Sequence, residues 1–157
     1  MKFDDRDTLT PGWKFSEYEF KGVPVRLAMG QRDMENNTAE VARRDTLEKQ
    51  TISQDQLSEY ICELLEEIQQ NLFNRALSFR NDHITEVNSF KEFEEVIESK
   101  GGFVSAHWDG TIETENKIKE LTKATIRCIP NKGKEELGTC IFTGEKSLRK
   151  VLFAKAY

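Results

Sequence analysis

Between Ser53 and Phe79 the chain contains neither glycine nor proline, and Leu57, Ile61, Leu64, Leu65, Ile68, Leu72 and Ala76 recur every three or four residues. That period puts them on one stripe of an α-helix. A helix of about 25 residues is about 38 Å long. Its outer face carries Glu59, Glu63, Glu66 and Glu67. The segment reads as a strut joining the stretches on either side.

Before it, the chain is punctuated for one helix and two strands. Thr10 can cap a helix, Pro11 suits its first position and Gly22 suits the residue just past its end. Lys14, Glu17 and Lys21 share a face at that spacing. Val23, Val25, Leu27 and Met29 then alternate as in a strand with one buried face, with Pro24 tolerable near its start. Gly30 to Asn37 reads as a polar turn, and Thr38 to Arg44 as a second short strand.

After it, Ser89 and Glu92 form a capping box, opening a helix whose buried face is Phe90, Phe93, Val96 and Ile97. Gly101-Gly102 ends that helix. Phe103 to Trp108 is a strand, and Thr111 to Thr122 a helix with Glu113/Lys117 and Glu115/Lys119 at i,i+4 spacing. Strands are expected at Thr125 to Ile129, Thr139 to Phe142 and Val151 to Ala156. Ile118, Leu121, Ile126, Ile129, Ile141, Phe142, Val151 and Phe153 are the expected interior. The class is α/β (α+β), ending in a small two-layer mixed α/β unit.

Hydrophobic residues at 37%, with ten Phe and two Trp, are enough to fill cores. No apolar run is long enough to span a membrane, and the N-terminus lacks the apolar stretch of a secretory signal. Three widely spaced cysteines, Cys62, Cys128 and Cys140, argue against a disulfide framework and for a reducing cytoplasm. The net charge of −5 is unevenly spread. Residues 1–50 hold 9 basic and 10 acidic side chains, residues 51–100 hold 4 and 11, and residues 101–157 hold 10 and 7. A protein that coats DNA would be basic throughout, so nucleic-acid contact is expected only locally, nearer the two ends. No nucleophile–base–acid set, no G-x-x-x-x-G-K-[ST] loop and no Cys-x-x-Cys pair is present, so nothing supports a hydrolase or transferase acting alone.

Three segments resemble prolyl-tRNA synthetases of the eukaryote-like type. The first is Asp4-Asp5-Arg6 with Pro11-Gly12-Trp13-Lys14-Phe15, Glu17-Tyr18-Glu19 and Lys21-Gly22-Val23-Pro24-Val25-Arg26. The second is Ala42-Arg43-Arg44-Asp45-Thr46. The third is Ile118-Lys119-Glu120, Ala124 to Pro130, and Val151 to Tyr157. They lie in family order. The resemblance implies the second half of an anticodon-binding domain in 1–50, a linking helix in 51–87 and the family's C-terminal domain in 88–157. It further implies a catalytic domain, with ATP and magnesium, upstream of this region, so the chain is expected to be an inactive fragment of a homodimeric parent. On that reading strands 23–29 and 38–44 lose sheet neighbours and expose an edge. The expected partners are proline tRNA and the parent's catalytic domain, with no membrane and no DNA. In the family the terminal Tyr and its carboxylate pack toward the catalytic domain; Tyr157 is expected to be disordered here or held by a crystal contact.

The same resemblance makes Asp4, Asp5, Arg6, Lys14, Glu17 and Lys21 candidates for tRNA recognition. Carboxylates suit a G-rich anticodon, because they accept from guanine N1–H and N2–H2. A solvated helix face with a few ion pairs is the plainer alternative. Of Arg43 and Arg44, which point to opposite faces of a strand, one can reach phosphate. Arg44 is carried as a candidate, against a salt bridge to Asp45 or Asp33. Trp13 and Trp108 can stack on bases, but the general expectation for such residues is core.

Many relatives hold zinc in the C-terminal domain with four cysteines. The matching positions here are Asp109, Thr114, Cys140 and Thr143, with a single thiolate, so zinc is expected to be absent and apolar packing to take its place. Cys128 lies outside that set and is expected to be buried. His107 could join Asp109 and Cys140 at a metal, against the plainer reading of a hydrogen-bonded histidine. A different class of function, a free-standing protein-interaction module using the acidic helix 53–79, is the alternative to tRNA binding.

Overall fold

The computed structural model describes residues 1–131 and 136–155. Tyr157 and part of the loop 130–138 lie outside them. The contacts divide the chain into two compact units, Met1–Leu77 and Ser78–Tyr157.

In the first unit, α1 (Pro11–Phe20) starts where Thr10 Oγ1 accepts from Trp13 N and ends at Lys21, with Gly22 at φ +81°. Strand β1 is Val25–Ala28. It lacks the expected alternation of burial, and Val23 and Met29 stand exposed outside it. The reason is that both faces are covered. Val25 and Leu27 pack against Val41, Leu64 and Ile68, while the Arg26 guanidinium lies 3.5 Å from the centre of the Phe15 ring. The expected turn at 30–37 contains a short helix, α2 (Gln31–Glu35), whose first turn is closed by Asp33 Oδ2 accepting from Gly30 N at 2.9 Å. Five residues are too few to show a helical period.

Strand β2 (Thr38–Arg43) pairs antiparallel with β1 on one side and with β3 (Lys49–Ser53) on the other. β2 therefore has neighbours on both sides, contrary to expectation, and the sheet's edges are β1 and β3. The polar Lys49-Gln50-Thr51 gave β3 no sequence signal. After a single 3-10 turn, α3 runs over 26 residues, Leu57–Asp82. Its apolar stripe is buried at Leu64 and Ile68, but Leu65, Leu72 and Ala76 are exposed. Strands of four to six residues reach only about 13–20 Å, so the sheet cannot cover the whole helix.

In the second unit, α4 (Phe90–Ser99) is capped by Ser89, whose hydroxyl accepts from Glu92 N. Glu92 Oε2 in turn accepts from Asn88 N at 3.1 Å, one residue earlier than a strict capping box requires. The chain turns through Gly101 and Gly102, both at positive φ, into β5 (Phe103–His107). Strand β4 (Ile84–Glu86), not anticipated, pairs parallel with β5. Next come α5 (Ile112–Thr122), β6 (Ala124–Cys128), the two-residue strands β7 (Gly138–Thr139) and β8 (Lys146–Ser147), and β9 (Lys150–Lys155). The main sheet has the order β4-β5-β9-β6, with β7 and β8 forming a separate ladder.

The core of this unit is built on Phe93, Ile97, Val104, Ile118, Val151 and Phe153. Phe93 and Phe153 meet edge to face at 5.1 Å. Ile126, Ile141 and Phe142 are partly buried against it. Two expected core residues are outside. Leu121 is exposed in the last turn of α5, and Ile129 lies beyond the last ladder pair of β6, Cys128↔Leu152, where no strand covers it. Cys128 is also exposed, because the β6 register shifts between Ile126 and Cys128. Among the described residues no helix is long and apolar enough to cross a membrane.

Candidate nucleic-acid interface

Of the seven candidate RNA-contacting residues, five form one ion network at the start of α1. Arg6 clamps Asp4 through two parallel bonds, Nε to Oδ1 at 2.8 Å and Nη2 to Oδ2 at 2.6 Å. The same Nη2 reaches Glu17 Oε2 at 2.6 Å. Lys21 pairs with the other Glu17 oxygen. Lys14 Nζ donates to the Asp4 carbonyl at 3.2 Å and lies 3.8 Å from Asp4 Oδ1. The Arg6 hydrogen bonds hold the Asp4 carboxyl well below the usual range, and Lys21 followed by Arg6 lowers that of Glu17. Conversely, Asp4 and then Glu17 raise the Arg6 guanidinium.

This arrangement decides which groups can address a ligand. Every carboxylate oxygen of Asp4 and Glu17 already accepts from a cation. Asp5 is exposed, and makes no hydrogen bond or ion pair among the described residues. Trp13 is 50% exposed, not core, with the Arg6 guanidinium 5.6 Å from its ring centre. The reason is local: on α1 it is Phe15 and Tyr18 that turn inward, and Trp13 sits on the opposite side with the ion network. Trp108 is half-buried against the core of the second unit and donates from Nε1 to Thr111 O at 3.0 Å.

Arg43 and Arg44 part as the strand geometry requires. Arg43 forms the salt bridge to Asp45, both bonds 2.8 Å, and reaches Glu67 at 3.2 Å. Arg44 makes no salt bridge among the described residues; its Nε donates to the Glu19 carbonyl at 2.8 Å. It lines a cleft of about 320 Å³ together with Glu19, Pro24, Leu47, Leu72 and Arg75.

The positions matched to a zinc site are also brought together, but by hydrogen bonds. Asp109 Oδ2 accepts from Thr114 Oγ1 at 2.7 Å and from Thr143 Oγ1 at 3.0 Å. Asp109 Oδ1 accepts from Thr111 N at 3.0 Å and Thr111 Oγ1 at 2.9 Å. Cys140 is buried, and its N–H donates to Glu145 O at 2.8 Å. His107 is buried with Nδ1 3.1 Å from Ser147 Oγ. No group of three or more His, Cys, Asp or Glu side chains is placed to hold a metal among the described residues.

Two protein families match the chain: the anticodon binding domain over residues 1–64, and the C-terminal domain of prolyl-tRNA synthetase over residues 90–157. The chain is 62% identical over 157 residues to a proline–tRNA ligase of Flavobacterium johnsoniae, and 57% identical to those of Christiangramia forsetii and Porphyromonas gingivalis. In each case the whole chain aligns and spans 32% of the relative's length. These matches give no support to helix 53–79 as the surface of a free-standing interaction module.

Proposed function

Because the chain belongs to the prolyl-tRNA synthetase family, as its anticodon-binding and C-terminal domains, we propose that it holds the anticodon loop of proline tRNA so that the acceptor end reaches an active site elsewhere in the enzyme. That site would attach proline using ATP and magnesium, in a cytoplasmic homodimer. The observation that carries this reading is the closed network of Asp4, Arg6, Lys14, Glu17 and Lys21 beside the open face of Trp13, inside the region matching an anticodon-binding domain.

Within that surface the work divides. Asp4 and Glu17 are engaged by cations, so they shape the surface, and of the three candidate carboxylates Asp5 is the one without a hydrogen bond or ion pair among the described residues, open to a guanine edge. Trp13 supplies a stacking plane, the usual device for single-stranded bases. Lys14, Lys21 and Arg44 supply charge for phosphate; the terminal nitrogens of Arg44 make no hydrogen bond among the described residues. We divide the chain accordingly into 1–50 for RNA contact, 51–87 as connector and 88–157 as supporting domain.

The test is binding of the chain to an RNA hairpin carrying the UGG anticodon, beside one with both guanines replaced, at low and moderate salt. Tighter binding to UGG, weakening with salt, is expected. Equal binding to both hairpins refutes anticodon recognition by this region.

A further inference from the structure

A metal centre does not suit the residues at Asp109, Thr114, Cys140 and Thr143. Structural zinc takes four thiolate or imidazole ligands. Here there is one thiol, two neutral hydroxyls and one carboxylate whose acceptor positions are filled by protein donors. We propose that Asp109 replaces a metal ion as the tie that fastens the start of α5 to the β7–β8 hairpin.

The geometry supports a tie between distant parts of the chain. An ionised carboxylate offers about four lone-pair sites, and Asp109 fills them from three places. Thr111 is the N-cap of α5, Thr114 lies in its first turn, and Thr143 lies in the turn between β7 and β8. Thr114 is buried, so without Asp109 its hydroxyl loses its acceptor out of reach of water. Burial by itself pushes the Asp109 carboxyl up, but the bonds from Thr114, Thr111 and Thr143 outweigh it and hold the group below its ordinary value. The tie is therefore formed by the charged carboxylate.

A second polar contact fixes the other end of the hairpin. Ser147, 1% exposed, lies 2.7 Å from Trp108 O and 2.9 Å from Arg149 O, and a hydroxyl has one proton to give them. His107 Nδ1 lies 3.1 Å from the same Ser147 Oγ. The His107 ring lies flat against Gly138, where any side chain would overlap it. Together the two contacts hold both β7 and β8 to the end of β5 with protein donors and acceptors only.

The experiment is elemental analysis of the chain purified without a metal-affinity step, with thermal melting and amide exchange in the presence and absence of EDTA. The expected result is no stoichiometric zinc and melting unchanged by EDTA. Thr143→Val should raise exchange at the Cys140 and Gly144 amides about five-fold, with the α4 amides unchanged. Asp109→Ala should lower the melting temperature of the second unit by about 5 °C. One zinc per chain whose removal lowers melting overturns the proposal, and so does Thr143→Val with no change in exchange. Thr143→Val removes one bond of the tie at an exposed position together with the acceptor of Glu145 N, whereas Thr143→Ser keeps both and should leave exchange unchanged, so the exchange result stands even if Asp109→Ala does not fold.

Discussion

Arg43 and Asp45 face each other through two parallel hydrogen bonds of 2.8 Å, and the Asp45 side chain is only 1% exposed. Asn71 of α3 donates to the same carboxylate at 2.6 Å. The pair closes the turn after β2 and anchors it to the helix. Removing the carboxylate leaves a mostly buried guanidinium without its main partner. Asp45→Ala is expected to cost about 2 kcal/mol, measured by denaturant unfolding of the chain.

The same pair sets an acid limit. The Arg43 hydrogen bonds, against the opposing effect of burial and with help from Asn71, hold the Asp45 carboxyl well below the usual carboxylate range. A depressed value means that the stabilisation is fully present above the unfolded value of about 4 and is lost as pH falls through the folded value. Stability of the first unit should therefore decline below pH of about 4, and Asp45→Asn should flatten that decline. An unchanged acid profile in the variant would rule the pair out as its source.

On the proposed RNA surface, substitution separates presenting groups from shaping groups. Trp13→Ala is expected to weaken binding of the UGG hairpin about ten-fold, with Trp13→Phe retaining most of it. Asp5→Asn should reduce preference for the guanines without changing the melting temperature. In a Trp108→Phe chain, quenching of the remaining tryptophan on RNA addition reports stacking directly. Trp13→Ala with undiminished affinity would remove the aromatic plane from the interface.

Gly138 tolerates no side chain, because a Cβ there overlaps the ring of the buried His107. Gly138→Ala must displace the ring or open the hairpin, at an expected cost of about 1–3 kcal/mol. Thermal melting of the variant checks this, and Gly144→Ala, with nothing near its Cβ position, controls for proximity to the hairpin. Gly144 has a positive φ of 75°, so its own cost is backbone strain and not overlap.

Phe153 and Phe93 are both fully buried and in edge-to-face contact. Truncating either to alanine should cost about 3–5 kcal/mol. Circular dichroism melting is expected to show the second unit failing first. Loss under about 1 kcal/mol would mean the core can collapse around the gap.

Much of this protein was determined by local pattern. Thr10 and Pro11 start α1, the uninterrupted stripe from Leu57 makes α3, and Ser89 with Gly101-Gly102 brackets α4, because caps, glycines and a 3.6-residue period act within a few residues of themselves. The tertiary structure decided what such rules cannot reach. β3 and β4 are strands because neighbours pair with them, not because their own residues demand it. Leu65 and Leu72 stay exposed because a short sheet does not cover a long helix. Asp4 and Glu17 lose their free oxygens to Arg6 and Lys21, while Asp5 keeps its own. Thr111, Thr114 and Thr143, as many as 32 residues apart, converge on Asp109 because folding brings the hairpin to the start of α5. A charge is visible in a sequence; whether it is engaged depends on which donors the fold places within about 3 Å of it.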